Sequence, residues 1–226
     1  MSHHVRRLKP LLLELDEVCP LDRPVLVDAH LIPLFKKHGE RESIELIPVP
    51  AAQVRGLHLG HAPSKTAVII YPRCEIHHGG QVDGACPGCQ EARYTIAKEL
   101  VHCLDRKEDK TSPDHMASDL INQLVRREWS ESPQAFADGW GELWAIELLA
   151  RFRHRLLVRG NASVPRSLRL ATAVASNNYF LLASQYGAPD DAIKRAFSDG
   201  YMDLMRTIRM TVQLPVEMPA LVHAAS

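Results

Sequence analysis

The chain carries no excess of either charge, since its 27 Lys and Arg residues are cancelled by 27 Asp and Glu residues. Without a broad positive field there is no general attraction to a phosphate backbone or an anionic membrane, so direct nucleic-acid binding is not expected. A long apolar run is also missing. Leu11, Leu12 and Leu13 are followed at once by Glu14, Asp16 and Glu17, which is too short and too acidic for a signal peptide or a membrane span. The expectation is a soluble, cytoplasmic protein. No internal repeat or low-complexity tract interrupts the chain. Cysteine is scarce and odd in number, at five, which argues against a full disulfide framework. Three of the five, Cys74, Cys86 and Cys89, nevertheless fall in one short window, and that clustering points to metal more than to oxidation.

What is present is 226 residues, enough for one substantial domain, with or without a helical extension, to bury a core without staples. Leu8, Leu11, Leu12 and Leu15 recur at helical spacing over residues 6–17, and Val27, His30, Leu31, Leu34 and Phe35 over 27–38. Three apolar runs at 44–49, 54–59 and 67–71, separated by Pro, Gly and Ser, predict a small antiparallel or mixed sheet. A Gly-, Cys-, His- and Pro-rich loop over 72–90 leads to a helix over about 92–104. Helices are expected around 115–129 and 134–157. The remainder, from 164, reads as helical with breaks at Gly187-Ala188-Pro189 and Asp199-Gly200.

Within the loop, Cys74-x-x-His77 and Cys86-Pro-Gly-Cys89 are two ligand pairs at the two-residue spacing that lets both members face one tetrahedral zinc ion. Pro87 and Gly88 shape a knuckle in which two thiolates converge, and His78 is an alternative to His77. The loop is therefore a candidate structural zinc site that fixes the entry to the following helix. Reduced cysteines in a mobile loop, or a redox pair, are the competing readings.

That helix carries a second signal. Zincins place His-Glu-x-x-His on a helix because residues four apart share a face, so two imidazoles meet one Zn²⁺ while the Glu serves as base toward a metal-bound water. Here Arg93-Tyr94-Thr95-Ile96-Ala97-Lys98-Glu99-Leu100-Val101-His102 resembles the segment Arg-Phe-Thr-Leu-Ala-His-Glu-Leu-x-His of the ImmA/IrrE family of zinc metallopeptidases, with Lys98 in place of the first His. Asp138 to Leu149 resembles the family's third-ligand helix, with Asp138 at the ligand position and Glu142 one turn along as the substitute if the register slips. Leu181 to Phe197 is similar to the family's closing segment. Together the similar stretches cover roughly residues 40 to 200.

The resemblance implies an α+β fold, a mainly helical, minimal-zincin-like domain with a three-stranded sheet beside the active-site helix. It would occupy residues 1–160, with a helical extension over 161–226. A protonated Lys has three donors and no free lone pair, so Lys98 removes one strong ligand. The favoured expectation is a regulatory pseudo-peptidase in which the Lys98 ammonium pairs with Asp138, Glu142 or Glu99 and replaces the charge of a bound ion. The partner implied by the family is a helix-turn-helix transcription regulator, in stress responses or mobile elements.

Two alternatives stand beside it. The first is an active zinc endopeptidase that cleaves such a repressor, with Glu99 as base and acid, His102 and Asp138 as surviving ligands, and His77, His78 or Cys103 as a replacement for the lost one. The second is a zinc-knuckle interaction module acting through residues 72–90. A helix-turn-helix reading of 183–197 is opposed by the balanced charge and by Asp190-Asp191. Trp129, Trp140 and Trp144 read as core.

Overall fold

The leucine spacing at the start of the chain produces helix α1, His3–Val18, which buries Leu8, Leu11, Leu12 and Leu15. A computed structural model describes residues 3–20, 24–51, 56–60, 65–78, 84–104, 133–159 and 165–217, with the side chains of 3–7, 133–138 and 165–169 left out. The helix expected at 115–129, with Trp129, lies outside the described residues.

The helix expected over 27–38 is divided into a π turn, Val27–Leu31, and α2, Ile32–His38. Pro33 stands in the first turn of α2 and has no N–H to continue an unbroken ladder. The backbone ahead of it widens, and Leu31 N–H reaches back five residues to the Leu26 carbonyl at 3.3 Å.

Strands β1 (Ser43–Val49), β2 (Leu57–Gly60) and β3 (Thr66–Pro72) form one mixed sheet in the order β1-β3-β2. β1 runs parallel to β3, pairing Leu46 with Ile69, and β2 runs antiparallel, pairing His58 with the same Ile69. Alternation along β3 buries Ala67, Ile69 and Tyr71 on the side that packs against helix α3, Pro87–Val101. The register therefore brings His58 to the α3 side of the sheet.

α3 begins five residues earlier than the sequence suggested. Cys86 is extended and Pro87 supplies the first helical residue, where its missing N–H costs nothing and its fixed φ suits the helix. A 3₁₀ turn, His102–Leu104, closes it. The long helix expected over 134–157 is two helices, α4 (Pro133–Leu149) and α5 (Phe152–Arg159). Neither Gly nor Pro marks the break. Glu147 caps the second helix by accepting from Phe152 N–H at 3.2 Å, and the Arg151 guanidinium donates to the Cys19 and Pro20 carbonyls at 2.5 Å each.

Helices α6 (Pro165–Ala175), α7 (Tyr179–Tyr186), α8 (Asp190–Ala196) and α9 (Asp199–Thr211) complete the fold. Gly187, at φ 62°, ends α7 in the left-handed conformation that a glycine adopts without strain. The chain is thus mainly helical with a small mixed sheet. One apolar cluster runs from Leu8 through Ile96, Leu100, Trp144 and Leu148 to Leu182, Ile193 and Met205, so residues on both sides of position 160 share a core. Inside it, Glu147 binds Arg155 and Arg209 at 2.6 Å each, and all three side chains are almost wholly buried. Such a triad is a weak net stabiliser when intact, because desolvation offsets most of the attraction, but it is costly to break. Among the described residues no helix is long and apolar enough to cross a membrane.

Candidate metal centre at the entry to helix α3

β3 ends at Pro72, and the chain turns immediately to present Cys74 and His77 to the start of α3. There Cys86 is the N-cap residue and Cys89 lies in the first turn. The four donors converge. Cys74 Sγ lies 3.6 Å from Cys86 Sγ and 3.5 Å from His77 Nδ1, Cys89 Sγ lies 3.2 Å from His77 Nδ1, and all four ligand atoms fall within 4.8 Å of one another. A tetrahedral zinc ion with ordinary bond lengths separates two sulfurs by roughly 3.8 Å and a sulfur from a nitrogen by roughly 3.6 Å. The cluster is therefore sized to hold a metal ion of that kind. His78, the alternative to His77, is exposed and sits at φ 47°, while His77 points its Nδ1 into the cluster.

The surroundings favour the thiolate of Cys74. The three cysteines are buried and form a pocket of their own, apart from the main core. Burial pushes the Cys74 thiol up, but the backbone N–H groups of His77 and Ile76, together with the Cys86 and Cys89 side chains, more than compensate and hold it below its ordinary value. Gly88 makes the approach of Cys74 possible, since a Cβ there would stand 2.9 Å from Cys74 Sγ. Gln90, nearly fully buried, donates from Nε2 to the Gly84 carbonyl at 2.7 Å and ties the loop to the helix. Gly84 in turn lies against the Ser184 carbonyl of α7.

The other end of α3 carries the zincin-like residues. The four-residue spacing sets Lys98 and His102 on one face, directly beneath α4. A Cβ on Gly141 of α4 would lie 3.2 Å from Lys98 Cγ and 3.4 Å from His102 Nε2, so the two helices come close to backbone contact there. His102 is buried and Lys98 half-buried. Glu99, also buried, faces elsewhere and meets the loop before β2, where a Cβ on Gly56 would stand 2.7 Å from Glu99 Oε1. Gly56 has φ 150° and no side chain to obstruct that carboxylate.

The two carboxylates expected on α4 have different standings. Glu142 turns to the surface and pairs with Arg195 of α8 at 3.3 Å, both side chains being about half exposed. Asp138 lies within α4, one turn before Gly141, and its side chain is outside the described residues. Among the described residues the Cys74, His77, Cys86 and Cys89 cluster is the one group of three or more such donors close enough to hold a metal ion, and Glu99, His102 and Glu142 do not form another.

Sequence reasoning missed His58. Its Nε2 lies 3.6 Å from Cys103 Sγ, and its ring centroid is 6.2 Å from that of His102. Strand alternation was the available signal, because it places His58 on the same side of the sheet as Ile69. Cys103 is buried in the main core beside it. Trp140 and Trp144 stack with centroids 6.2 Å apart, and Trp144 is fully buried. No family model, no curated protein and no solved structure matches this chain.

Proposed function

We propose that this protein is a regulatory pseudo-peptidase of the ImmA/IrrE type, built around a structural zinc ion at Cys74, His77, Cys86 and Cys89, that binds a helix-turn-helix transcription regulator. The observation that carries the reading is the contact of α4 with α3. Gly141 rests on Lys98 and His102 together, so the face that would hold two imidazoles in a zincin holds a lysine stem and one imidazole. The sheet beside α3, the i, i+4 spacing and a carboxylate-bearing second helix support the same relation. Lysine supplies a fixed positive charge where the metal would supply one, and a single imidazole on this face does not make a three-ligand catalytic site.

The Cys/His cluster fits zinc by donor type as well as by size, because three thiolates and one imidazole form a closed, four-coordinate set with no open position for substrate. Its role is to pin the loop of residues 72–90 to the first turn of α3. An active endopeptidase is the second reading, favoured by one observation: the His58 ring beside His102 brings another imidazole to the altered centre.

Elemental analysis separates the two. The pseudo-peptidase reading expects about one zinc per chain, lost in Cys86→Ser/Cys89→Ser and retained in His102→Ala, with no metal-dependent peptide hydrolysis. Zinc that depends on His102 or His58, or hydrolysis abolished by Glu99→Gln, would replace it with the active one. Binding of a helix-turn-helix regulator should survive Glu99→Gln, and failure to bind any such regulator would remove the partner from the proposal.

A further inference from the structure

The four donors do more than pin a loop, because two of their sulfurs are placed to react with one another. Cys74 Sγ and Cys86 Sγ are 3.6 Å apart, about 1.6 Å more than a disulfide bond requires. They sit on opposite sides of a joint, Cys74 on the turn after β3 and Cys86 at the N-cap of α3. Cys86 is the most solvent-accessible of the three cysteines, at 7% against 1% for Cys74 and 0% for Cys89. In the turn that follows Cys74, Ile76 and His78 are exposed. Cys89 is more deeply buried and stands between Cys74 and His77, its Sγ 3.2 Å from His77 Nδ1. Cys86, the N-cap residue of α3, is therefore the sulfur of the three that a two-electron oxidant in solvent reaches first.

We propose that the cluster is a redox-sensitive switch, in which a peroxide converts Cys74 and Cys86 to a disulfide and expels the metal from the entry to α3. This rests on the structural-zinc reading. In the first step the Cys86 thiolate attacks one peroxide oxygen. The O–O bond breaks, the sulfur is oxidised to a sulfenic acid, and the departing hydroxide takes up a proton as water. In the second step the Cys74 thiolate attacks the Cys86 sulfur. The S–O bond breaks, the S–S bond forms, and the second oxygen leaves as water after protonation. One peroxide is reduced to two waters and two thiols are oxidised to one disulfide. Cys89 and His77 alone do not complete a tetrahedral set, so the zinc ion is released. The helix that loses its anchor is the one that carries Lys98 and Glu99 and leads into His102.

The test uses the full chain loaded with zinc. Hydrogen peroxide is titrated in, released zinc is read with a chromogenic chelator, and the disulfide is located by non-reducing peptide mapping. The expected result is about one zinc released per peroxide consumed, a Cys74–Cys86 bond, and recovery of the zinc-bound state on adding a thiol reductant and zinc. The switch is overturned if zinc stays bound under a several-fold excess of peroxide. It is equally overturned if zinc leaves with the cysteines as sulfinic acids, or if the disulfide joins Cys86 to Cys89 or involves Cys19 or Cys103. A chain that takes up no zinc before any peroxide is added defeats the metal reading beneath it, and that outcome is visible at the first point of the titration.

Discussion

Replacing Gly88 by alanine should change stability in opposite directions with and without metal. Gly88 is the second residue of α3 and does not have a positive φ, so its backbone accepts alanine without strain. Alanine improves helix propensity by up to about 1 kcal/mol over glycine, less at a first turn than in the interior. The new Cβ, however, would stand 2.9 Å from Cys74 Sγ and 3.4 Å from Cys74 Cβ, and whether that costs anything depends on what else holds the sulfur. A free thiol turns about χ1 and moves aside. A thiolate bound to zinc is fixed by the metal and by the three other donors, so relief requires a shift of the turn, at the roughly 1–3 kcal/mol typical of overpacking. The expectation is a zinc affinity lowered by about 10- to 100-fold, since each 1.4 kcal/mol is tenfold, while the metal-free protein melts at the same temperature or slightly higher. Chelator competition measures the first and thermal unfolding in excess chelator the second. An unchanged zinc affinity would show that Cys74 is not held by a metal, and equal destabilisation in both states would show that the crowding has nothing to do with one.

Three further outcomes follow from the same geometry. Glu147→Gln removes the carboxylate that bridges the buried Arg155 and Arg209 guanidiniums and should cost about 3–5 kcal/mol in urea-induced unfolding, and a loss below about 1 kcal/mol would mean that water reaches the triad. Burial pushes the Tyr201 hydroxyl up from 10.0, with the nearby Glu147 and Tyr94 adding to the rise. A raised folded-state value means stability complete below pH 10 and lost as pH rises through the folded value, so alkaline unfolding should be steeper in the native chain than in Tyr201→Phe, and identical profiles would refute it. Gly187→Ala places a Cβ at φ 62° into the space of the Arg93 guanidinium and should lose more than about 1 kcal/mol, with a neutral effect showing that Arg93 is free to leave.

The legible parts of this chain were those dictated by local pattern. Leucine spacing gave α1, the three apolar runs gave the strands, and the Cys/His spacing gave the four donors that the fold brings together. The failures have tertiary causes. The break between α4 and α5 carries no Gly or Pro, because it is made by Arg151 reaching Cys19 and Pro20 and by Glu147 capping Phe152, contacts of which the first two join residues 132 and 131 positions apart. The early start of α3 was written in Pro87, but as part of a Cys-Pro-Gly-Cys knuckle it reads as a turn. His58 was overlooked because one imidazole on a short strand means little until the register of β2 against β3 sets it near His102. The surface pairing of Glu142 with Arg195 depends on where α8 packs, which no spacing on α4 predicts.

The two ends of α3 also obey one electrostatic rule. A zinc ion held by three thiolates and a neutral imidazole carries one net negative charge, and here it would sit at the N-terminus of the helix, the positive end of its dipole. Lys98 stands in the last turn, where the dipole is negative and a cation is favoured by about 0.3–1 kcal/mol. On the proposed pseudo-peptidase reading, a lysine where a catalytic zinc ion would sit keeps the sign of the charge while removing the metal's capacity to activate water. The helix therefore has a fixed cation of its own at its C-terminal end, whereas at its N-terminal end four donors converge closely enough to hold a metal ion. Physical chemistry thus assigns the metal to the end where the donors converge and the fixed charge to the end where α4 rests on Lys98.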